Sequence, residues 1–198
     1  MSEIKLIKKS LENYVKKMLI IGVVHGDEFQ GEYFINSYLE KNVKNTKNEI
    51  YYIPRLNENN ERKNKNGVDL NRNFPTKNWE LRENDNYFGG AEANSEKETK
   101  FLVNLIENNK FDAIITIHSP YKVINYDGPA QNLAEVIQQF LPYEITSDIG
   151  YPTPGSFGTY CGKERQIPTI TIEIDEEADI EILNDRFHKM FEYLENEY

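Results

Sequence analysis

Three short apolar runs constrain this chain more than any other feature, because each leads into a side chain that can ligate or titrate. Residues 18–24 run into His25, residues 111–118 end on His118, and residues 168–174 carry Glu173 in next-to-last place. Continuous, partly β-branched runs of this length suit strands buried on both faces. A further strand is expected at 49–56, with helices at about 28–40, 132–140 and 95–109, the last opened by a capping box at Ser95–Glu98. A closing helix at 180–194 sets Ile180, Leu183, Phe187, Met190 and Leu194 on one face. Strands interleaved with helices predict one α/β domain over residues 1–198, a mixed, largely parallel twisted sheet with helices on both faces. Such sheets bind ligands at the carboxyl ends of their strands, where His25, His118 and Glu173 fall.

Composition removes whole classes of function. The chain has 23 Lys and Arg against 33 Asp and Glu, a net charge of −10, so no basic excess exists for nucleic acid or an anionic membrane. Its single cysteine, Cys161, excludes a disulfide framework and a Cys-rich zinc ribbon, and reads as a small packed residue. The charged start has no apolar core of the signal-peptide kind, and the longest apolar run is too short to span a bilayer. The expected location is cytoplasmic.

His25 and Glu28 flank Gly26 and Asp27 at a strand-to-helix junction, where a tight turn can aim both side chains at one ion. With His118 they make a His2Glu set, which suits a catalytic zinc that keeps one position open. The same residues have plainer readings: Glu28 as a first-turn carboxylate, His25 and His118 as hydrogen-bonded core histidines. Asp27 is expected to orient a ligand, and His188, among Phe187, Met190 and Phe191, to be structural or solvent-facing. Residues 57–90 form a polar loop region, unusually long unless it is functional. Within it, Arg72 offers a planar fork for a carboxylate and Asn71 a second donor. Arg62 could polarise a carbonyl or belong to a solvated cluster with Lys63 and Lys65. Glu173 could act as a general base. Residues 151–158 look like a shaped loop, and Asp175, Glu176 and Glu177 like caps of the last helix.

Together these pieces resemble the zinc metallocarboxypeptidase family. The features in the family's order are His25-Gly26-Asp27-Glu28, the string at 66–75 (NGVDLNRNFP), His118, and the Glu173 of Thr-Ile-Glu-Ile; the segment at 88–99 (FGGAEANSEKET) fits between them. Within the family, IHSP at 117–120 and YPTPGSFGTY at 151–160 are most similar to the murein peptide amidase A-like branch. The resemblance implies a zinc carboxypeptidase-like fold and one Zn2+ held by His25, Glu28 and His118. It further implies Arg62 on the scissile carbonyl, Asn71 and Arg72 on the substrate's terminal carboxylate, Glu173 as base and then acid, and Tyr151 as the family's mobile tyrosine. The implied substrate is a small peptide, the murein tripeptide, cleaved at its γ-D-glutamyl–diaminopimelate bond in cytoplasmic cell-wall recycling. Diaminopimelate's far end carries an amine and a carboxylate, so its pocket should offer complementary charge, which the sequence does not locate. Where relatives often carry Asn-Pro-Asp-Gly after the second strand, this chain has Asn57-Glu58-Asn59-Asn60, which bears on where Arg62 lands. The chain also reads as the bare catalytic domain.

Two other functions share part of the pattern. An aspartoacylase- or succinylglutamate desuccinylase-like deacylase would share the His-x-x-Glu and Asp-Leu-Asn-Arg features. A metal-free module could bind peptide C-termini through Arg72 without catalysis.

Overall fold

In the computed structural model, residues 4–10, 13–41, 46–83 and 85–198 are described. In chain order they form β1 (Ile7–Lys9), β2 (Lys17–Ile21), α1 (Gln30–Glu40), β3 (Glu49–Ile53), α2 (Lys97–Glu107), β4 (Ala113–His118), β5 (Val123–Asp127), α3 (Gln131–Gln138), β6 (Glu144–Thr146), β7 (Thr169–Glu173) and α4 (Ile180–Asn196). A 3-10 turn at Leu70–Arg72 and a π-helical turn at Thr159–Lys163 lie in the connections. The seven strands make one sheet in the order β1-β3-β2-β4-β7-β5-β6. Its pairs are parallel except β1 with β3 and β5 with β7, the mixed, largely parallel sheet the sequence predicts.

The apolar runs are the central strands because they can be buried on both sides. Ile20, Ile115, Ile117 and Ile172 face one layer with Phe34, Leu133, Phe187 and Phe191 of the helices α1, α3 and α4. Leu19, Ile21 and Ile114 face the other with Leu102 and Ile106 of α2, together with Leu70, Phe74, Phe157 and Tyr160 from the long connections. Burying one such side chain stabilises the fold by roughly 1.5–3 kcal/mol. The loops that carry the 66–75 and 151–160 strings are therefore packed into the second layer. Their apolar residues fix their polar ones.

Several expectations are corrected. Ser95 does not cap α2; Asn73 does, its Oδ1 accepting from the Glu96 N–H at 3.2 Å and from Thr99 Oγ1 at 2.6 Å. Asp179, not Asp175–Glu177, caps α4 by accepting from the Glu181 and Ile182 N–H groups. His188 is buried, its Nε2 against Ser37 Oγ at 2.9 Å and its ring edge-on to Tyr38, a packing role. Cys161 is packed in the second layer as expected. Among the described residues no helix is long and apolar enough to cross a membrane.

Glu49, at the start of β3, is 1% exposed yet charged. Lys8 Nζ approaches it at 2.7 Å, Lys17 Nζ at 3.0 Å, and Ser10 Oγ donates to it at 2.8 Å. Burial opposes its ionisation, but these donors outweigh burial and hold the carboxyl down at about 2, from an ordinary 4.5. A depressed carboxylate stabilises the fold above its unfolded value and loses that contribution as pH falls through its folded value. Glu49→Gln should therefore cost of the order of 2 kcal/mol at neutral pH, with half-exposed Lys8 screened. Urea midpoints should show the cost shrinking from pH 4.5 towards 2; a penalty that does not vary with pH would refute the account.

Candidate active site

The carboxyl ends of β2, β4 and β7 deliver three side chains to one point. His118 is the last residue of β4 and lies directly across the parallel ladder from Glu173, the last residue of β7. His25 follows β2 through a turn whose Gly26 packs on the 59–61 segment, where a Cβ would collide with the Asn59 carbonyl oxygen. The Gly26 N–H donates to Glu61 O at 3.1 Å, and the Glu28 N–H donates to His25 O at 3.2 Å, which curls the turn so that His25 and Glu28 converge.

His25 Nδ1 lies 2.7 Å from Glu28 Oε1, His118 Nδ1 lies 2.8 Å from Glu28 Oε2, and the two Nδ1 atoms are 3.3 Å apart. All three residues are buried, and one donor atom from each lies within 4.8 Å of the others. Two donors each roughly 2.0–2.1 Å from a tetrahedral zinc stand about 3.3–3.4 Å apart, so the nitrogen pair already has the spacing of a zinc site. The donor set of two imidazole nitrogens and a carboxylate fits zinc chemically as well.

The electrostatics favour a cation here. Burial disfavours a charged His25, but Asp69 and Glu28 overcome it and raise its pKa to about 9. Burial would likewise raise Glu28, yet His118 and His25 hold it down at about 2. Asp69, buried under His25, lies well below the ordinary carboxylate range: His25, Arg62 and Arg72 outweigh its own desolvation. Glu173 goes the other way, raised by burial and by Glu28 against the pull of His118. Its buried Oε2 has no hydrogen-bond partner and faces the same cleft.

His25, Glu28, Arg62, Asn71, Arg72, Tyr151 and Glu173 line one cleft, and His118 joins His25 and Glu28 in the triad. Arg62 reaches the cleft without the Asn-Pro-Asp-Gly turn. Asn57 stitches the loop instead, accepting from the Asn59 N–H at 3.0 Å and donating Nδ2 to Arg62 O at 3.2 Å. Arg62 Nη2 then donates to Asp69 Oδ2 at 3.0 Å, and its Nε has no partner. It is half-buried in the cleft wall, so the solvated-cluster reading does not hold. Asn71 Oδ1 accepts from the Phe157 N–H at 2.9 Å, which leaves its Nδ2 free to donate into the cleft. Arg72 is buried, donates Nη1 to Asn71 O at 2.7 Å, and keeps an unpartnered Nε. Its backbone is gripped between Gly89 and Gly155, where a Cβ on either would strike the Arg72 carbonyl oxygen. Tyr151 and Tyr121 stand at the rim with ring centroids 6.3 Å apart.

Two positions in contact with the candidate residues escaped the sequence reading. Asp27 is exposed, and the carboxylate that holds His25 is Asp69, with Oδ1 3.1 Å from Nε2. The Asp of the Asp-Leu-Asn-Arg string was its only signal. Tyr87 sits against both arginines, with Arg62 Cζ 5.5 Å and Arg72 Cζ 5.4 Å from its ring centre.

Comparison with known proteins finds relatives in sequence and in fold. The family described as zinc carboxypeptidase matches residues 46–138, which include Arg62, Asn71, Arg72 and His118. Murein peptide amidase A of Vibrio campbellii is 35% identical over 136 residues, covering 61% of this chain and 53% of that protein. The Escherichia coli K12 protein of the same name is 34% identical over 124 residues, 57% of this chain and 50% of its own. The chain thus spans about half the length of the curated relatives it matches. The crystal structure of murein-tripeptide amidase from Escherichia coli O157 superposes with a TM-score of 0.74 at 25% identity, covering 90% of this chain and 80% of that one. Carboxypeptidase A from Helicoverpa armigera shares the fold, with a TM-score of 0.74 at 16% identity over 96% of this chain and 63% of its own.

Proposed function

We propose that this chain is a zinc-dependent metallocarboxypeptidase that hydrolyses the amide bond next to a carboxylate-bearing terminal residue, the γ-D-glutamyl–diaminopimelate bond of a murein tripeptide. The observation that carries the reading is the convergence of the His25–Glu28–His118 triad, the unpartnered Glu173 oxygen and the buried Arg72 fork on one cleft. His25 Nδ1, Glu28 and His118 Nδ1 would hold the metal, and Asp69 would fix the His25 ring by accepting at Nε2. When bound, zinc supplies Lewis acidity at the carbonyl and acidifies water.

The residues divide the remaining work. Arg72 and Asn71 grip the terminal carboxylate with the donors that their own loop contacts leave free, which selects substrates with a free C-terminus. Arg62 directs its guanidinium at the scissile carbonyl oxygen, where negative charge develops. Glu173 takes a proton from the water that adds to the carbonyl carbon. As the C–N bond breaks, Glu173 returns that proton to the leaving amine, whose nitrogen keeps the bond's electron pair. Its raised pKa serves both steps, since a carboxyl nearer neutrality accepts and then releases a proton more readily. Tyr151 covers the substrate from the rim.

The test is hydrolysis of the muramyl tripeptide, with and without a chelator, beside N-acetylaspartate and N-succinylglutamate. Cleavage of the tripeptide alone, abolished by chelation and restored by added zinc, is the expected result. Preferential cleavage of the N-acyl amino acids would replace this reading with a deacylase.

A further inference from the structure

The proposed chemistry leaves one buried charge in the cleft unused. Beyond Glu173 the same sheet face continues through Thr171 and, on antiparallel β5, through Asn125 and Asp127, which pair with Thr171 and Thr169. Side chains alternate along a strand, so Glu173, Thr171, Asn125 and Asp127 share one face, and all four line the cleft. The Asp127 side chain is only 10% exposed. Asn125 Nδ2 donates to its Oδ2 at 3.3 Å, drawing the carboxylate towards the Glu173 end. Gly158 and Gly162 leave it space, since a Cβ on either would collide with the Asp127 side chain. On its outer side Lys163 Nζ lies 3.2 Å from Oδ1, at the tip of a side chain that is 56% exposed. A second opening, lined by Asn125, Asp127, Tyr151, Thr153 and Lys163, shares the first four of these with the cleft, so the space runs on to the lysine.

We infer that Asp127 and Lys163 recognise the far end of the substrate's side chain, and that this end is zwitterionic: an ammonium taken by Asp127 and a carboxylate taken by Lys163. The inference rests on the peptidase reading for the substrate's orientation, with its α-carboxylate on Arg72. A buried carboxylate that loses its cation without replacement is strongly destabilised, so Asp127 requires a positive partner at all times. An incoming ammonium satisfies it and releases Lys163, whose exposed pairing is weak and cheap to exchange. A lone ammonium would leave Lys163 beside a new cation. A lone carboxylate would meet Asp127. An end group with both charges converts one ion pair into two, and diaminopimelate carries that group three methylenes from its α-carbon.

Three peptides alike except in the terminal residue, ending in diaminopimelate, lysine or norleucine, test the assignment, together with calorimetric binding of free diaminopimelate. Asp127→Asn should lower kcat/KM for the diaminopimelate and lysine peptides, and affinity for the free amino acid, by roughly 10- to 100-fold while sparing the norleucine peptide. Lys163→Ala should weaken only the diaminopimelate ligands, with thermal unfolding measured beside binding because the variant also removes the cation paired with Asp127. Equal effects on all three peptides, or none, would overturn the proposal while leaving the peptidase reading intact. Binding of diaminopimelate that depends on both residues, in a protein that cleaves no peptide, would uphold the recognition and overturn the reaction. Absence of both binding and cleavage would overturn both.

Discussion

Glu173→Gln should lower kcat on the tripeptide by roughly 10²- to 10⁴-fold, the usual contribution of a positioned proton carrier, with KM little changed. The substitution keeps the size of the side chain and its place at the end of β7, opposite His118, and removes only the capacity to accept and return a proton. Metal content should stay at one equivalent, because Glu173 is not one of the three converging donors. Steady-state kinetics beside metal analysis of the same preparation checks both halves. A fully active variant would remove Glu173 from the reaction.

His118→Ala should produce the complementary phenotype, with loss of the metal and, through it, of activity. Loss of a group that merely orients a ligand typically costs 10- to 100-fold in metal affinity, so removal of a ligand should cost at least about 100-fold. The variant also leaves Glu28 Oε2 without the partner that holds it at 2.8 Å. Dialysis against metal-free buffer followed by metal analysis should find less than a tenth of an equivalent, with the fold intact by circular dichroism. Stoichiometric zinc after that treatment would exclude His118 as a ligand. The two variants together separate holding the metal from moving the proton.

What the sequence made legible follows from how far each residue's partners lie along the chain. His25 and Glu28 are three residues apart on one turn, His118 ends an apolar run and Glu173 stands next to last in another, so residue type and local pattern marked them as candidates and the resemblance gave them roles. Asp69 is 44 positions from the ring it holds, and nothing local distinguished it from Asp27 beside the histidine. Ser95 met every local requirement of a cap, yet Asn73, 23 residues upstream, reaches the Glu96 N–H instead. The missed strands β1 and β6 are only three residues long, and β5 alternates Ile124 in the core with Asn125 and Asp127 on the cleft face, so none of the three reads as a continuous apolar run. Asn125 and Asp127 stand on β5, so missing that strand also hid the far wall of the cleft. Tyr87 gave no signal, because its meaning lies in two arginines brought together by the fold.

Both outermost strands of the sheet, β1 and β6, are only three residues long. An isoleucine-rich parallel sheet is a ready template for pairing with another chain wherever a long strand edge is exposed. Here β1 covers Ile50, Tyr51 and Tyr52 of β3 and offers an incoming strand almost no ladder of its own. A strand that lines no part of the cleft thus covers the border of the sheet, and lets His118 and Glu173 rest on strands that are almost wholly apolar.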